Sequence, residues 1–185
     1  QYAQSVVQAA LEARWRVADV RDIAAVHIRT LKTAVDMMAG DAEKWHPTNR
    51  ETADHSMPYT TAVALLYGAI EHRHFEDPFL HDPALLDLAS RIKCSVSEEA
   101  DRREPEAMLC DLELTLTNGK QEKVRVEYHR GHWRNPMTDA EIEEKFRALA
   151  HDVLPPARTD ALLKQLWDLE NLTDIGALLK LTRIY

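Results

Sequence analysis

The pair Asn118-Gly119, set between two alternating segments, constrains the fold of this 185-residue chain more than any other feature. Leu112, Leu114 and Leu116 alternate with Glu113 and Thr115, while Val124, Val126 and Tyr128 alternate with Arg125 and Glu127. Successive side chains of a strand point to opposite faces, so each segment reads as a half-buried strand and the two as a hairpin. A strict two-residue Asn-Gly turn pairs Leu116 with Gln121 and sends the two apolar sets to opposite faces. The loop is therefore odd in length, or a bulge intervenes.

Alternation recurs at Ile23–Thr30, where Val26, Ile28 and Thr30 stand opposite His27 and Arg29, predicting another strand. Leu31–Met38 fits either its continuation or a helix. Elsewhere the apolar period is helical. Val6, Val7, Ala10 and Leu11 stripe the opening helix. A helix from about Met57 to Tyr67 has Ser56 as its N-cap and Pro58 in its first turn, and Gly68 marks either its end or a weak point before Ile70. Leu85, Leu86, Leu88, Ala89 and Ile92 make the next stripe, and Glu98–Glu106 reads as a solvated, mobile loop. Thr138-Asp-Ala-Glu141 is a capping box before Ile142, Phe146, Leu149 and Val153. Two further stripes follow, Leu162–Trp167 and Ile175–Leu179. The order of elements gives an α+β class with strands confined to the middle. The terminal helices have strong apolar stripes and few partners in so short a chain.

Composition narrows the function. The chain is 45% hydrophobic and 29% charged, ordinary for a globular protein, and its net charge of −8 argues against nucleic-acid binding. The two cysteines, Cys94 and Cys110, are too few for a thiolate metal centre and read as small buried residues. A reducing, cytoplasmic setting fits them. No run approaches the roughly 20 apolar residues that span a bilayer, so no membrane role is expected. Helical spacing at the start argues against a signal peptide, and the missing initiating Met is expected of a fragment or processed chain. Phosphate loops and nucleophile elbows are absent from the sequence, and the scattered histidines have no ligand spacing.

Chemistry concentrates in Asn49-Arg-Glu-Thr-Ala-Asp-His-Ser-Met-Pro-Tyr59. Arg50 offers bidentate carboxylate binding and His55 a proton carrier near neutral pH, both just before a helix start that favours anions. Together they suit a small polycarboxylate. The plain alternative is a capped helix with a surface Arg and a His bonded to backbone. Gly131–Met137 repeats the pattern with His132, Arg134 and Asn135, but a glycine turn and a capping box explain most of it.

The run Lys44-Trp-His-Pro-Thr-Asn-Arg-Glu-Thr-Ala-Asp-His-Ser-Met-Pro-Tyr59, followed by Ala62-Val-Ala-Leu-Leu-Tyr-Gly68, resembles the MmgE/PrpD family. Ala3-Gln-Ser5, Asp82-Pro83, and Gly131-His-x-Arg-Asn-Pro-Met137 with Lys145-Phe146 agree in order. Asn49 stands where Thr is common, and Tyr67 where an Asp often precedes the glycine. The resemblance covers essentially the whole chain, yet members are more than twice as long.

That resemblance implies a carboxy-terminal part of an enzyme built from a large helical domain and a smaller α+β lid. Residues 1–15 and 137–185 would belong to the helical domain and 16–136 to the lid. It implies a cofactor-independent, metal-free lyase of the 2-methylcitrate dehydratase kind. Arg50, His55 and Ser56 would meet the substrate, Arg50 holding carboxylates and His55 moving a proton. Expected partners are a small polycarboxylate and either a second copy, as a homodimer, or the missing helical domain. Alternatives are cis-aconitate decarboxylation, dicarboxylate isomerisation or epimerisation, and an inactive fragment or subunit completed by a separate amino-terminal partner.

Overall fold

A computed structural model describes residues 2–184. The chain divides into two compact units, Gln1–Asn135 and Pro136–Tyr185. In the first, α1 (Gln4–Arg14) leads to β1 (Ile23–Thr30), followed by α2 (Lys32–Ala39), α3 (Arg50–Asp54), α4 (Met57–Tyr67), α5 (Asp77–Leu80) and α6 (Pro83–Ser90). Then come β2 (Ile92–Val96), α7 (Glu98–Arg103), β3 (Cys110–Leu116) and β4 (Gln121–Val126). The second unit holds α8 (Asp139–Ala150), α9 (Pro156–Trp167) and α10 (Ile175–Leu181). The class is α+β, as expected.

The strands form one mixed sheet in the order β2-β1-β3-β4. β1 runs parallel to β2 and antiparallel to β3, and β3 pairs antiparallel with β4. A parallel pair needs a long crossover, and residues 31–91 supply it, carrying α2 through α6. Val26, Ile28, Ile92, Leu112, Leu114 and Val124 are buried on one face of the sheet, where α1 packs against β3 and β4. The opposite face alternates charge. His27 pairs across the strands with Lys93 and Glu113, and Glu113 with Lys123, whose ammonium lies 2.9 Å from the carboxylate. His27 Nε2 lies 2.7 Å from Ser95 Oγ. Burial, then the nearby Arg29 and Lys93 charges, lowers its pKa.

The hairpin meets the parity requirement by lengthening its loop. Leu112 pairs with Val124, the Leu116 amide bonds Lys120 O at 2.8 Å, and Thr117-Asn118-Gly119 forms a three-residue turn. Gly119 takes φ 84°, a conformation that penalises a Cβ.

α4 is the hub of this unit. Met57 through Leu65 are all buried, so the helix is enclosed on every side, touching α1, α2, α6 and β2. Gly68 closes it at φ 70°, its amide bonding Ala64 O at 3.0 Å.

Three segments depart from the sequence reading or complete it. Leu31–Met38 resolves as helix α2 over Lys32–Ala39. Ile92, read as the end of a helical stripe, instead opens β2, whose Ile92-Lys-Cys-Ser-Val96 pattern is too short to separate from the preceding helix by period alone. Glu98–Arg103, read as loop, is α7. Its Ser97 hydroxyl accepts from the Ala100 amide at 3.3 Å, acidic residues occupy the first turn, and Arg102 and Arg103 the last. Asp101 in turn accepts from the Lys32 amide at 2.7 Å, fastening the start of α2.

In the second unit Thr138 and Glu141 form the expected capping box, with Glu141 Oε2 accepting from the Thr138 amide at 2.8 Å. Pro156 opens α9. Ala150, Leu162, Leu163 and Leu178 are buried, but Ile142, Leu149, Val153, Trp167, Ile175 and Leu179 are exposed. A groove of about 350 Å³ runs between Phe146, Leu149, Val153, Leu154 and Leu162. Among the described residues no helix is long and apolar enough to cross a membrane.

Candidate active site

The corner between α3 and α4 is built by two caps. Asn49 Oδ1 accepts from the Thr52 amide at 2.9 Å and starts α3, so the Asn in place of a common Thr keeps the capping function. Ser56 Oγ accepts from the Tyr59 amide at 3.1 Å and starts α4, while its own hydroxyl donates to Lys44 O. One turn of helix therefore separates Arg50, its first residue, from His55, its C-cap. Tyr59 anchors the neighbouring turn. Its hydroxyl donates to His74 O at 2.6 Å, two residues along the chain from His72.

Arg50 is exposed, and its Nη2 donates to His72 Nδ1 at 3.2 Å. A guanidinium has five N–H donors in a planar fork, so most of them remain for a carboxylate. The His55 side chain is 57% exposed. Its Nδ1 lies 3.0 Å from Glu51 O and bonds Asp54 Oδ1, with Glu51 Oε1 at 3.7 Å. Nε2 has no partner among the described residues. Glu51, Asp54 and His55 are also the one His/Cys/Asp/Glu group there whose ligand atoms lie within 4.8 Å of one another, an exposed cluster of a kind common without any cation.

The three residues singled out in the sequence thus end in different settings. Arg50 and His55 sit at opposite ends of α3 with separate partners, and no hydrogen bond joins them. Ser56 is fully buried, with its hydroxyl engaged as donor and as acceptor. It fastens the Lys44 segment to α4 and closes the helix start that sequence reasoning offers to an anion. Asp54 and His72 are additions from the structure. Asp54 is adjacent to His55 and visible in the sequence as a possible partner. His72 is brought to Arg50 only by tertiary packing.

Nearby, Tyr67 stacks on His74 at 4.7 Å between ring centroids and donates to Asp82. That contact occupies the place where an Asp is common. His74 is buried, its Nδ1 accepts from the Glu71 amide at 3.0 Å, and burial lowers its pKa. In the Gly131 turn, Arg134 bonds Tyr128 Oη at 2.7 Å, pairs with Glu106 at 3.1 Å and lies over the Trp133 ring. Asn135 Nδ2 donates to Tyr128 O at 2.9 Å. These groups hold the turn together, in keeping with the plain reading of that loop. Both thiols are free. Burial pushes Cys94 up to about 12 and Cys110 higher still, so neither is a thiolate near neutral pH.

The family model for the MmgE/PrpD C-terminal domain matches residues 1–169. The chain is 31% identical over 173 residues to 2-methylcitrate dehydratase of Cupriavidus necator, covering 88% of this chain and 35% of that protein. It is 28% identical over 137 residues to human cis-aconitate decarboxylase, covering 74% of this chain and 28% of the relative. With 2-methylcitrate dehydratase of Escherichia coli K12 it shares 31% identity over 118 residues, 61% of this chain and 24% of the relative. The chain spans about a third or less of the length of these relatives. A match across most of its length, around the corner that holds Arg50 and His55, shows that the chain belongs to the MmgE/PrpD family and corresponds to its C-terminal domain.

Proposed function

We propose that this chain is the carboxy-terminal portion of a cytoplasmic lyase that removes water from a small polycarboxylate without a metal or organic cofactor. The observation that carries this reading is His55, an exposed imidazole held by one nitrogen with the other open, at the far end of the short helix that Arg50 begins. Arg50 holds a substrate carboxylate through its free donors. His55 transfers a proton at the carbon α to a carboxylate. In the dehydration direction the C–H bond breaks, its electrons form the new C=C bond, and the adjoining hydroxyl departs as water with a proton from a second acid. Ser56 serves by fixing the corner, because its buried hydroxyl has no face for substrate. The assembly partner is the remaining helical domain or a second copy of the whole enzyme.

A second reading keeps the site and changes the reaction. A relative named cis-aconitate decarboxylase matches the same segment, so loss of CO₂ from an unsaturated tricarboxylate competes with loss of water. Incubating the native polypeptide with 2-methylcitrate, cis-aconitate and iminodisuccinate separates the choices. Water loss from the first supports the dehydratase. CO₂ release from the second replaces it with the decarboxylase. No turnover of any of the three removes the lyase reading and favours a subunit that acts only beside a separate amino-terminal partner. The apolar faces of α8 to α10 motivate that last reading.

A further inference from the structure

We propose that Asp54 is a positioning residue that, together with the Glu51 carbonyl, sets the tautomer of His55, so that Nε2 holds the lone pair and receives the substrate proton. The inference rests on the proton-transfer role given to His55 above. The surroundings of His55 Nδ1 fix its hydrogen. That nitrogen faces Glu51 O at 3.0 Å and bonds Asp54 Oδ1. A carbonyl oxygen and an ionised carboxylate are both acceptors only, so the nitrogen between them carries hydrogen. A neutral imidazole has one N–H, which places the lone pair on Nε2.

Exposure points the same way. The ring is 57% exposed, and Nε2 is the nitrogen without a partner among the described residues. His72 supplies an internal contrast. Its Nδ1 accepts from Arg50 Nη2 at 3.2 Å, so its own hydrogen sits on Nε2. The two imidazoles beside α3 therefore present opposite functions to a ligand. His55 offers a lone pair, and His72 an N–H alongside the guanidinium. When a substrate C–H bond breaks, the new N–H bond forms on His55 Nε2 and the electron pair stays with the substrate. The ring then carries hydrogen on both nitrogens, with Nδ1 still facing the Asp54 carboxylate and the Glu51 carbonyl oxygen. His55 consequently starts the dehydration cycle as a base.

Asp54→Asn is the discriminating variant, because an amide keeps the shape yet can donate to Nδ1 and admit the other tautomer. Long-range ¹H–¹⁵N correlation on the imidazole-labelled 185-residue chain, in the alkaline range where imidazoles are neutral, reads the tautomer directly. We expect a protonated Nδ1 at His55 in the parent chain and a shift toward a protonated Nε2 in Asp54→Asn. In the native polypeptide the same variant should lower kcat at least ~10-fold with KM little changed, since Arg50 still holds the carboxylate. An unaltered tautomer and unaltered kcat in Asp54→Asn overturn the positioning role while leaving His55 as the proton carrier. Full turnover in His55→Ala overturns the functional reading instead, whatever the tautomer.

Discussion

The two compact units use the same kind of sequence pattern to different ends. In the first, the apolar stripe of α1 meets the inner face of a four-stranded sheet, and α4 is enclosed from Met57 to Leu65. In the second, α8, α9 and α10 bury Ala150, Leu162, Leu163 and Leu178 but leave Leu149, Ile175 and Leu179 more than half exposed. An amphipathic helix stabilises a fold only through the surface that covers its stripe, at about 25 cal/mol per Å² of apolar area removed from water. The sheet gives the first unit that surface. The second keeps apolar faces of the kind that mark a contact with something further.

The sharpest way to break this contrast is a matched pair of truncations. Leu112→Ala, in the centre of β3, should cost about 2–5 kcal/mol in urea unfolding, whereas the exposed Leu179→Ala should stay within about 0.5 kcal/mol. Equal losses would mean that the stripe on α10 is already covered. Ser56→Ala should follow at about 1–2 kcal/mol, because it removes the α4 cap and leaves Lys44 O without its donor. Gly68→Ala should cost about 1–2 kcal/mol, since φ 70° places a Cβ against the next carbonyl.

Acid gives a further separation. His74 and His129, both buried in the first unit, have pKa values below the ordinary 6.5, with burial as the leading cause. The fold prefers their neutral rings, while the unfolded chain takes up protons nearer 6.5. Their contribution is therefore fully present above that pH and is lost as pH falls below it. The one histidine of the second unit, His151, is exposed. Hydrogen exchange at about pH 7 and pH 5 should show protection falling chiefly at amides of α1, α4 and the sheet. A fall confined to α8–α10 would reverse the assignment.

Local rules were readable in the sequence where one short segment contains both halves of the interaction. The Ser56, Thr138 and Asn118-Gly119 signals each act within about four residues, and the hairpin parity follows from side-chain alternation alone. β2 escaped because its five residues follow a helix of similar apolarity and gain their identity from parallel pairing with β1. α7 escaped because a run of charges reads as a solvated loop until Ser97 caps it and Asp101 reaches the Lys32 amide. At the candidate site the same divide holds. Arg50 and His55 stand in one motif, whereas the Arg50–His72 contact spans 22 residues and depends on how Tyr59 anchors His74 O. The resemblance also implies Ser56 as a substrate contact, and the burial of its hydroxyl arises only from packing of the Lys44 segment.

The central claim is that the α3–α4 corner moves a proton through His55. Steady-state turnover of 2-methylcitrate by the native polypeptide carrying His55→Ala, with circular dichroism confirming the fold, tests it most directly. kcat should fall about 10²–10⁴-fold with secondary structure intact. Turnover within about twofold of the parent would contradict it.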